Sequence, residues 1–236
     1  MKITAIITAG GIGSRFSKSG KPKQYINING IPMILYSLLA FQESKAVNEI
    51  IVSADNGYFD FLHGLILKNN IKKLSNLVER GKTRYHSVKN AFMQVNGLPN
   101  DIIIIHDAVR PNINVNFIEK LVSGLRKYDG LIPGLEITET VKKEKKGIVA
   151  ETINREHLVT VQTPQVFRYR VLKESYRKCG NEADFTDEAA LVEKAGFKVK
   201  ITDGNKSNIK ITTPGDIQIL KAIWNTSLNW KIITRR

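Results

Sequence analysis

The segment ITAIITAGGIGSRFSKSGKPKQY, residues 3–25, decides the fold, because an apolar run of strand length ends in closely spaced glycines. Residues 3–8 are mostly apolar and β-branched, as in a strand buried on both faces. Glycine turns sharply and lets a ligand approach the backbone, so Gly10, Gly11 and Gly13 can present bare N–H groups. The cations that follow, with no acid among them, predict an anionic ligand: Arg15, Lys18, Lys21 and Lys23.

Further along the chain, short apolar segments alternate with segments of helical length and spacing. The predicted strands cover 49–53, 74–79, 101–106 and 130–135, and the predicted helices cover 32–43, 57–69, 83–95 and 114–127. Strands that alternate with helices form parallel βαβ units. We therefore expect an α/β protein with a Rossmann-like, doubly wound and mostly parallel sheet.

The alternation breaks at residues 136–157, which we call the β-arm. This segment contains two polar strands, 138–142 and 148–153, joined by a charged turn that ends at Gly147. A hairpin this polar cannot lie in a core, so we expect it to project and to meet a second copy of the chain in a homodimer. Beyond it we predict strands at 159–162, 198–202 and 208–211 and helices at 169–178, 186–195 and from 214 onward. Since no internal repeat or linker is visible, we expect a single domain, 1–236.

The composition excludes several classes of protein. Of 236 residues 42% are hydrophobic, and no apolar run approaches the roughly 20 residues of a membrane span, so we expect no membrane partner. The single cysteine, Cys179, excludes an intramolecular disulfide and a multi-thiolate metal site. Because the first residues also lack a signal-peptide pattern, we expect a cytoplasmic protein.

The net charge of +14 suits nucleic acid, acidic lipid or small phosphorylated substrates. The basic residues are spread along the chain, and no aromatic residues are interleaved with them as in a stacking platform. We therefore expect no nucleic-acid partner, although a basic nucleotide- or RNA-binding protein without catalysis stays open as an alternative.

The glycine segment departs from two well-known phosphate-binding motifs. The dinucleotide fingerprint G-x-G-x-x-G needs a third glycine where Phe16 stands. The NTPase loop needs Ser or Thr after its Gly-Lys, but Pro22 follows Gly20 and Lys21. The phosphate-binding motif must therefore be of another kind.

The segment 9–16, AGGIGSRF, with PKQY at 22–25, resembles the signature of sugar-nucleotide and polyol-phosphate nucleotidyltransferases, which have a glycosyltransferase-A-like fold. Later motifs occur in the order found in 2-C-methyl-D-erythritol 4-phosphate cytidylyltransferases of the non-mevalonate isoprenoid pathway: HDAVRP at 106–111, TET at 138–140, TINR at 152–155, QTPQ at 162–165, FTDE at 185–188 and NIKITTP at 208–214. Ribitol-5-phosphate cytidylyltransferases of teichoic acid and capsule synthesis share several of these motifs. That family remains the competing reading.

The resemblance implies that CTP and a polyol phosphate react to give a cytidine diphosphate derivative and pyrophosphate, in a site shared across a homodimer by exchange of β-arms. The implied catalytic residues are Arg15, Lys23, Arg155 and Lys210. The implied nucleotide-binding residues are Ala9, Gly10, Gly11, Gly13, Gly81, Ser87 and Asp107. The implied residues that bind the second substrate are Asp107, Arg110, Thr140, Arg155, Thr163, Thr186 and Lys210. Mg²⁺ is expected with the triphosphate, held mostly by phosphate oxygens and water, with Asp107 as the candidate protein ligand.

Two residues depart from the pattern of the family that the chain resembles. Lys82 stands where these enzymes commonly carry an acid, and Thr8 stands where many have proline. Since the exocyclic amine of cytosine needs a hydrogen-bond acceptor, the lack of a carboxylate at position 82 weakens the expected preference for cytosine unless backbone carbonyls supply the acceptor.

Overall fold

The computed structural model describes residues 1–11, 16, 21–180 and 185–226. Its strands are β1 (Ile3–Thr8), β2 (Asn27–Ile28), β3 (Ile31–Pro32), β4 (Glu49–Ala54), β5 (Leu74–Glu79), β6 (Ile102–Asp107), β7 (Gly130–Glu136), β8 (Val141–Lys145), β9 (Ile148–Ile153), β10 (Val159–Val161), β11 (Gln165–Arg168) and β12 (Val199–Asp203). Its α-helices are α1 (Met33–Glu43), α2 (Phe59–Lys68), α3 (Arg84–Phe92), α4 (Val115–Leu125), α5 (Tyr169–Cys179), α6 (Glu188–Lys194) and α7 (Pro214–Thr226). None of the helices in these ranges is long and apolar enough to cross a membrane.

The central sheet has eight strands in the order β10-β7-β11-β6-β1-β4-β5, with β12 paired to β7. Strand β1 lies between β4 and β6 and runs parallel to both, and β5 continues the parallel set beside β4. Strand β12 is parallel to β7, whereas β10 and β11 run antiparallel to their neighbours. The predicted α/β fold with a mostly parallel sheet is therefore confirmed.

Helices cover both faces of this sheet, because the central strands are apolar on both sides. One face packs against α1, α2 and α4 in a cluster that includes Ile7, Phe41 and Leu121. The other face packs against α3, α5 and α6, with Ile105 and Tyr176 among its members. A third cluster packs α7 against α1 and includes Tyr36, Leu220 and Trp224.

Two features of the sheet differ from the sequence-based expectation. Strand β11 was not predicted, because its first residue, Gln165, is the last residue of the polar 162–165 motif and only three residues follow it. Its Val166 and Phe167 are fully buried between β6 and β7. The predicted strand at 208–211 is wrong. Asn208 N–H donates to Asn205 O within a turn, and only Ile211 N–H reaches across, to Val109 O. This segment crosses the edge of the sheet instead of joining it.

The predicted polar hairpin is confirmed as a two-stranded antiparallel sheet, β8 with β9, separate from the central sheet. Almost all of its residues are exposed. Lys146 and Gly147 form its turn with φ of 54° and 80°, in the left-handed region where glycine is favoured. The use of this β-arm in dimerisation stays a prediction.

Candidate active site

A cavity of about 360 Å³ opens at the carboxyl ends of β1, β5 and β6, where open α/β sheets bind their ligands. The described residues that line it come from the glycine loop, the turn before α3, the end of β6 and the segment before α7: Thr8, Ala9, Gly10, Gly11, Phe16, Lys23, Gln24, Arg80, Gly81, Lys82, Thr83, Arg84, Ser87, Asp107, Val109, Lys210 and Thr212.

The charge of this lining is strongly one-sided. Among the described lining residues there are five cations against one carboxylate, Asp107; the cations are Lys23, Arg80, Lys82, Arg84 and Lys210. A cleft lined by one sign of charge raises the local concentration of ligands of the other sign. The cavity therefore suits a polyanion.

Gln24 and Tyr25 hold the first part of the glycine loop in place. The buried Gln24 amide donates to Ala9 O and to Gly11 O, the latter at 2.9 Å. The Tyr25 hydroxyl donates to the same Ala9 O at 3.3 Å. The Ala9 and Gly11 carbonyls, which would repel a phosphate, are therefore already paired with protein donors. Sequence reasoning did not assign Gln24 to the site, although it lies inside the PKQY motif.

Gly10 and Gly11 lack side chains for different reasons. A Cβ at Gly10 would lie 2.6 Å from Cβ of Arg80, so this glycine makes room for a neighbouring side chain. A Cβ at Gly11 would meet nothing within 4 Å among the described residues, and Gly11 is exposed at the cavity. The bare backbone at Gly11 therefore leaves space for a ligand. The predicted site residues Gly13 and Arg15 lie outside the described residues.

The turn before α3 is closed by hydrogen bonds among its own residues. Gly81 N–H donates to Ser87 Oγ at 3.1 Å, and the Ser87 hydroxyl donates to Thr83 O at 2.8 Å. Thr83 Oγ1 in turn accepts from His86 N–H, which caps α3. Both predicted nucleotide-binding residues of this turn, Gly81 and Ser87, line the cavity, and Ser87 also fixes the shape of the turn.

We expect Gly81→Ala to lower the free energy of unfolding by about 1–3 kcal/mol, the range for overpacking. The new Cβ would lie 2.7 Å from the His86 carbonyl carbon and 2.9 Å from Ser87 N, and backbone cannot move aside as a flexible side chain can. Urea denaturation measures the loss. Gly64→Ala in α2, where a Cβ meets nothing within 4 Å, is the matched control and should not destabilise. Equal stability of the two variants would contradict the account of this turn.

Asp107, at the end of β6, is surrounded by three cations. Its Oδ1 lies 3.1 Å from Arg84 Nε, and its Oδ2 lies 2.8 Å from Lys210 Nζ and 3.8 Å from Arg110 Nε. The Thr8 hydroxyl also donates to Oδ1, at 3.3 Å. Burial opposes the charge of this carboxyl, but Arg84, Lys210 and Arg110 together hold its pKa well below the usual range. Asp107 is therefore a carboxylate at neutral pH.

Arg84 connects Asp107 to a second buried carboxylate. Its Nη1 lies 3.0 Å and 2.8 Å from the two carboxylate oxygens of Glu188, which is 1% exposed at the start of α6. Burial opposes the charge of Arg84, yet Glu188 and Asp107 raise its pKa above the usual range. Neither Arg84 nor Glu188 was assigned to the site from the sequence, although Glu188 lies within the FTDE motif at 185–188.

Two predicted substrate-binding residues, Thr163 and Arg110, lie behind Asp107 and are not among the cavity-lining residues. The Thr163 hydroxyl accepts from Asp107 N–H at 3.0 Å and lies 3.2 Å from His106 Nδ1. Arg110 Nη1 donates to Asn208 O at 2.9 Å. These contacts fix the position of Asp107, whereas direct contact of Thr163 and Arg110 with substrate stays a prediction.

The remaining predicted residues lie away from the cavity lining in the single chain. Thr186 is exposed, two residues before Glu188. Thr140 and Arg155 are exposed on the β-arm, where the Arg155 guanidinium donates to Thr138 O. A site that uses Thr140 and Arg155 would therefore need the β-arm of another subunit.

The burial of His106 predicts a pH-dependent stability of the protein. Burial lowers the pKa of this fully buried histidine to about 3, with the nearby Arg110 acting in the same direction and Asp107 against it. An unfolded histidine titrates near pH 6.5, so between these values the unfolded chain binds more protons than the folded one. We expect His106 to cost up to about 1.4 kcal/mol of stability per pH unit as pH falls from 6.5 towards 3.

Urea denaturation between pH 4.5 and 7 measures this slope. His106→Gln should flatten it, whereas His63→Gln, at an exposed position of α2, should leave it unchanged. An unaltered slope in His106→Gln would show that His106 is not the group responsible.

The described residues do not form a protein cage for magnesium. Mg²⁺ prefers oxygen ligands in octahedral geometry, and Asp107 is the one described carboxylate of the cavity lining, with both oxygens already next to cations. No cluster of three or more His, Cys, Asp or Glu that could hold a metal ion occurs within the described ranges. An ion in this cavity would therefore take most of its ligands from a bound polyphosphate.

A mostly parallel α/β sheet, with a glycine loop after β1 and a cationic cavity at the carboxyl edge, defines a nucleotidyltransferase-like protein of the α/β class. Residues 3–226 match the family model described as IspD, 2-C-methyl-D-erythritol 4-phosphate cytidylyltransferase. The chain belongs to this family of cytidylyltransferases.

Relatives and solved structures agree with this assignment. The 2-C-methyl-D-erythritol 4-phosphate cytidylyltransferases of Clostridium perfringens and Clostridium botulinum are 38% and 36% identical, over 92% of this chain and 96% of theirs. The structure is similar to 4-diphosphocytidyl-2C-methyl-D-erythritol synthase from Anaerococcus prevotii, with a TM-score of 0.80 and 28% identity over 95% of this chain and 98% of that one. The Francisella tularensis cytidylyltransferase gives 0.77 and 29%, over 95% and 99%. These matches favour the methylerythritol phosphate reading over ribitol phosphate and over a non-catalytic binding protein.

Proposed function

We propose that the protein transfers the cytidylyl group of CTP to 2-C-methyl-D-erythritol 4-phosphate, giving 4-diphosphocytidyl-2-C-methyl-D-erythritol and pyrophosphate. The observation that carries this proposal is the cavity at the carboxyl edge of the sheet, where five cations face one carboxylate beside a bare glycine backbone. Two phosphorylated substrates that must meet would repel each other in water. A cationic cavity removes that repulsion.

In the proposed reaction, a phosphate oxygen of the polyol phosphate attacks the α-phosphorus of CTP in line. A new P–O bond forms, the bond from the α-phosphorus to the bridging oxygen breaks, and its electron pair leaves with pyrophosphate. No covalent enzyme intermediate is needed, so the protein contributes positioning and stabilisation of charge on the moving phosphoryl oxygens.

We assign the two ends of the cavity to the two substrates. The triphosphate lies against the backbone of Gly10 and Gly11 and against Lys23, while the roles of Gly13 and Arg15 stay predictions from the sequence. The polyol phosphate lies at Lys210, whose Nζ is held 2.8 Å from Asp107 Oδ2. Asp107 keeps Lys210 and Arg84 apart and oriented, and it is the acceptor available for substrate hydroxyls.

Magnesium is proposed to enter with CTP, because the protein itself offers few oxygen ligands here. The ion would be held by phosphate oxygens, with Asp107 as the nearest carboxylate, and its charge would help to neutralise the triphosphate. A cytoplasmic location is proposed with it, which fits a chain that carries a single cysteine.

We also propose a homodimer with exchanged β-arms, because polar residues of the arm could then contact substrate in the neighbouring subunit. Thr140 and Arg155 have no place at the cavity of their own chain, and an exposed arginine on a projecting hairpin can reach an anionic substrate in a neighbouring subunit. This arrangement predicts that each site combines Lys23 of one chain with Arg155 of the other.

Mixing two inactive variants tests the shared site. Lys23→Ala and Arg155→Ala dimers should each be nearly inactive, and subunit exchange between equal amounts should restore about a quarter of wild-type activity, since half of the dimers then carry one intact site. If both residues acted within one chain, no variant mixture would gain activity by this route, apart from the residual rates of each variant.

Pyrophosphate release tests the reaction itself. Purified protein with CTP and Mg²⁺ should release pyrophosphate with 2-C-methyl-D-erythritol 4-phosphate and far more slowly with ribitol 5-phosphate. A rate seen only with ribitol 5-phosphate would overturn the proposed substrate. No release with either polyol phosphate would overturn the enzymatic proposal.

A further inference from the structure

The cavity is lined by residues from the carboxyl ends of β1, β5 and β6, and Arg80 lies at the β5 end. Neighbouring strands in the order β6-β1-β4-β5 are about 4.8 Å apart, so the end of β6 and the end of β5 are separated by about 14 Å. Asp107 ends β6, the glycine loop follows β1, and Arg80 directly follows β5. If the polyol phosphate lies at the β6 end and the triphosphate at the glycine loop, the nucleoside extends towards β5 and Arg80.

Three contacts hold Arg80 in place, one through its backbone and two through its side chain. Its N–H donates to Ala54 O at 2.8 Å, and its Nε lies 2.8 Å from Asp55 Oδ2. Asp55 is itself oriented by the N–H of Gly57, at 3.1 Å. The side chain passes against the backbone of Gly10, where a Cβ would be 2.6 Å from Cβ of Arg80 and 3.0 Å from its Cδ. Arg80 thus forms a side wall of the cavity.

The terminal amino groups of Arg80 remain available to a ligand. Within the described ranges, Nε is the one side-chain nitrogen of Arg80 with a hydrogen-bond or ion-pair partner. The side chain is 29% exposed and lines the cavity. A planar guanidinium with one edge anchored presents its remaining donors as a fork, which suits two adjacent acceptors.

We propose that Arg80 is a specificity-determining residue that selects cytosine over uracil by donating to its O2 and N3 atoms. This inference rests on the proposed function. In cytosine, O2 and N3 are neighbouring acceptors. In uracil, N3 carries a hydrogen, so an N–H donor of Arg80 would face another N–H donor. The fork therefore fits cytosine and rejects uracil, and it does so without an acidic residue at position 82.

The same geometry makes Gly10 a partner of Arg80. Only a residue without a Cβ leaves room for the Arg80 stem, so a side chain at position 10 would displace the guanidinium. The effect of Gly10→Ala on base selectivity should therefore depend on the presence of Arg80.

Comparison of CTP with UTP tests the proposal. In wild type, kcat/KM should be much higher for CTP than for UTP. Arg80→Ala should lower kcat/KM for CTP by about 10- to 100-fold, the scale of one bidentate base contact, and change UTP much less. Arg80→Lys keeps the charge but not the fork, so it should lose most of the selectivity too. Arg177→Ala, at an exposed arginine of α5, is the matched control and should leave both values unchanged.

Each outcome has a distinct meaning. Equal losses for CTP and UTP in Arg80→Ala, which leave the CTP-to-UTP ratio unchanged, or full selectivity in Arg80→Lys would show that Arg80 supplies only charge. Unchanged kcat/KM for both nucleotides in Arg80→Ala would remove Arg80 from the site. Each of these results overturns the inference about Arg80. If the wild-type protein is active, the proposed function still holds. An inactive wild type would overturn the proposed function instead, and calorimetric titration of Arg80→Ala and Arg80→Lys with CTP and UTP would then test the fork by the ratio of affinities.

The coupling between Gly10 and Arg80 is tested by Gly10→Ala, alone and in combination with a variant of Arg80. Gly10→Ala should lower the CTP-to-UTP ratio in the wild-type background and have little further effect when combined with Arg80→Gly. Independent, multiplicative effects of the two substitutions would contradict the coupling of Gly10 to Arg80.

Discussion

Lys23→Ala is expected to lower kcat by about 10²–10³, the scale for removing one preorganised donor to a transition state. Lys23 lines the cavity and begins the short 3₁₀ turn Lys23–Tyr25, which Gln24 and Tyr25 anchor to the glycine loop. Its position relative to the loop is therefore fixed before the substrate binds. A compact ammonium on a flexible stem can stay with the phosphoryl oxygens as their charge changes.

Lys21→Ala is the matched control for Lys23→Ala. Lys21 is exposed, lies two residues away and is absent from the cavity lining, so its loss should change kcat by less than about twofold, as for a surface charge. Steady-state pyrophosphate release with saturating substrates measures both variants. Equal rates for Lys23→Ala and Lys21→Ala would remove Lys23 from the mechanism.

Asp107→Ala is expected to destabilise the fold by about 3–5 kcal/mol, the cost of breaking a buried ion pair by removing one partner. Arg84, Arg110 and Lys210 would then face one another without the carboxylate that separates them. The expected loss should appear in urea denaturation as a lower midpoint. Any folded fraction should be inactive, because Lys210 would lose the contact that orients it.

A double variant keeps this prediction testable if Asp107→Ala unfolds. Adding Lys210→Met removes one of the unpaired cations, so it should recover about 0.5–3 kcal/mol relative to Asp107→Ala, the usual range for coupled neighbours. In the wild-type background, Lys210→Met should be neutral or destabilising. If it raises or lowers stability equally in both backgrounds, Asp107 and Lys210 are not energetically coupled.

Much of the fold could be predicted because its central strands are apolar on both faces. Strands β1 and β6 stand out because most of their residues are β-branched, as in ITAIIT and IIIIHD. Strand β11 could not be found in the same way, because two of its four residues, Gln165 and Arg168, are polar and it inserts between strands that precede it in the chain. The prediction of a strand at 208–211 was wrong because the polar residues that alternate there make side-chain contacts instead of pairing in a sheet. Asn208 donates to Thr163 O, and Lys210 contacts Asp107.

Site residues that belong to a local sequence motif could be predicted. Site residues that are brought together only by the fold could not. Gly10, Lys23, Asp107 and Lys210, all nominated from the sequence, line one cavity. The contact of Arg84 with Glu188 joins residues 104 positions apart, and no spacing in a single sequence indicates such a pair. Burial likewise separates supporting residues such as Thr163 from those that line the cavity, and burial is a property of the folded chain.

A crystal structure of the protein with CTP and Mg²⁺ tests the central claim most directly. The account predicts the triphosphate against the backbone of Gly10 and Gly11 and beside Lys23, with the base at the turn that begins at Arg80. A nucleotide bound elsewhere on the molecule, or a cavity that stays empty at saturating CTP, would contradict it.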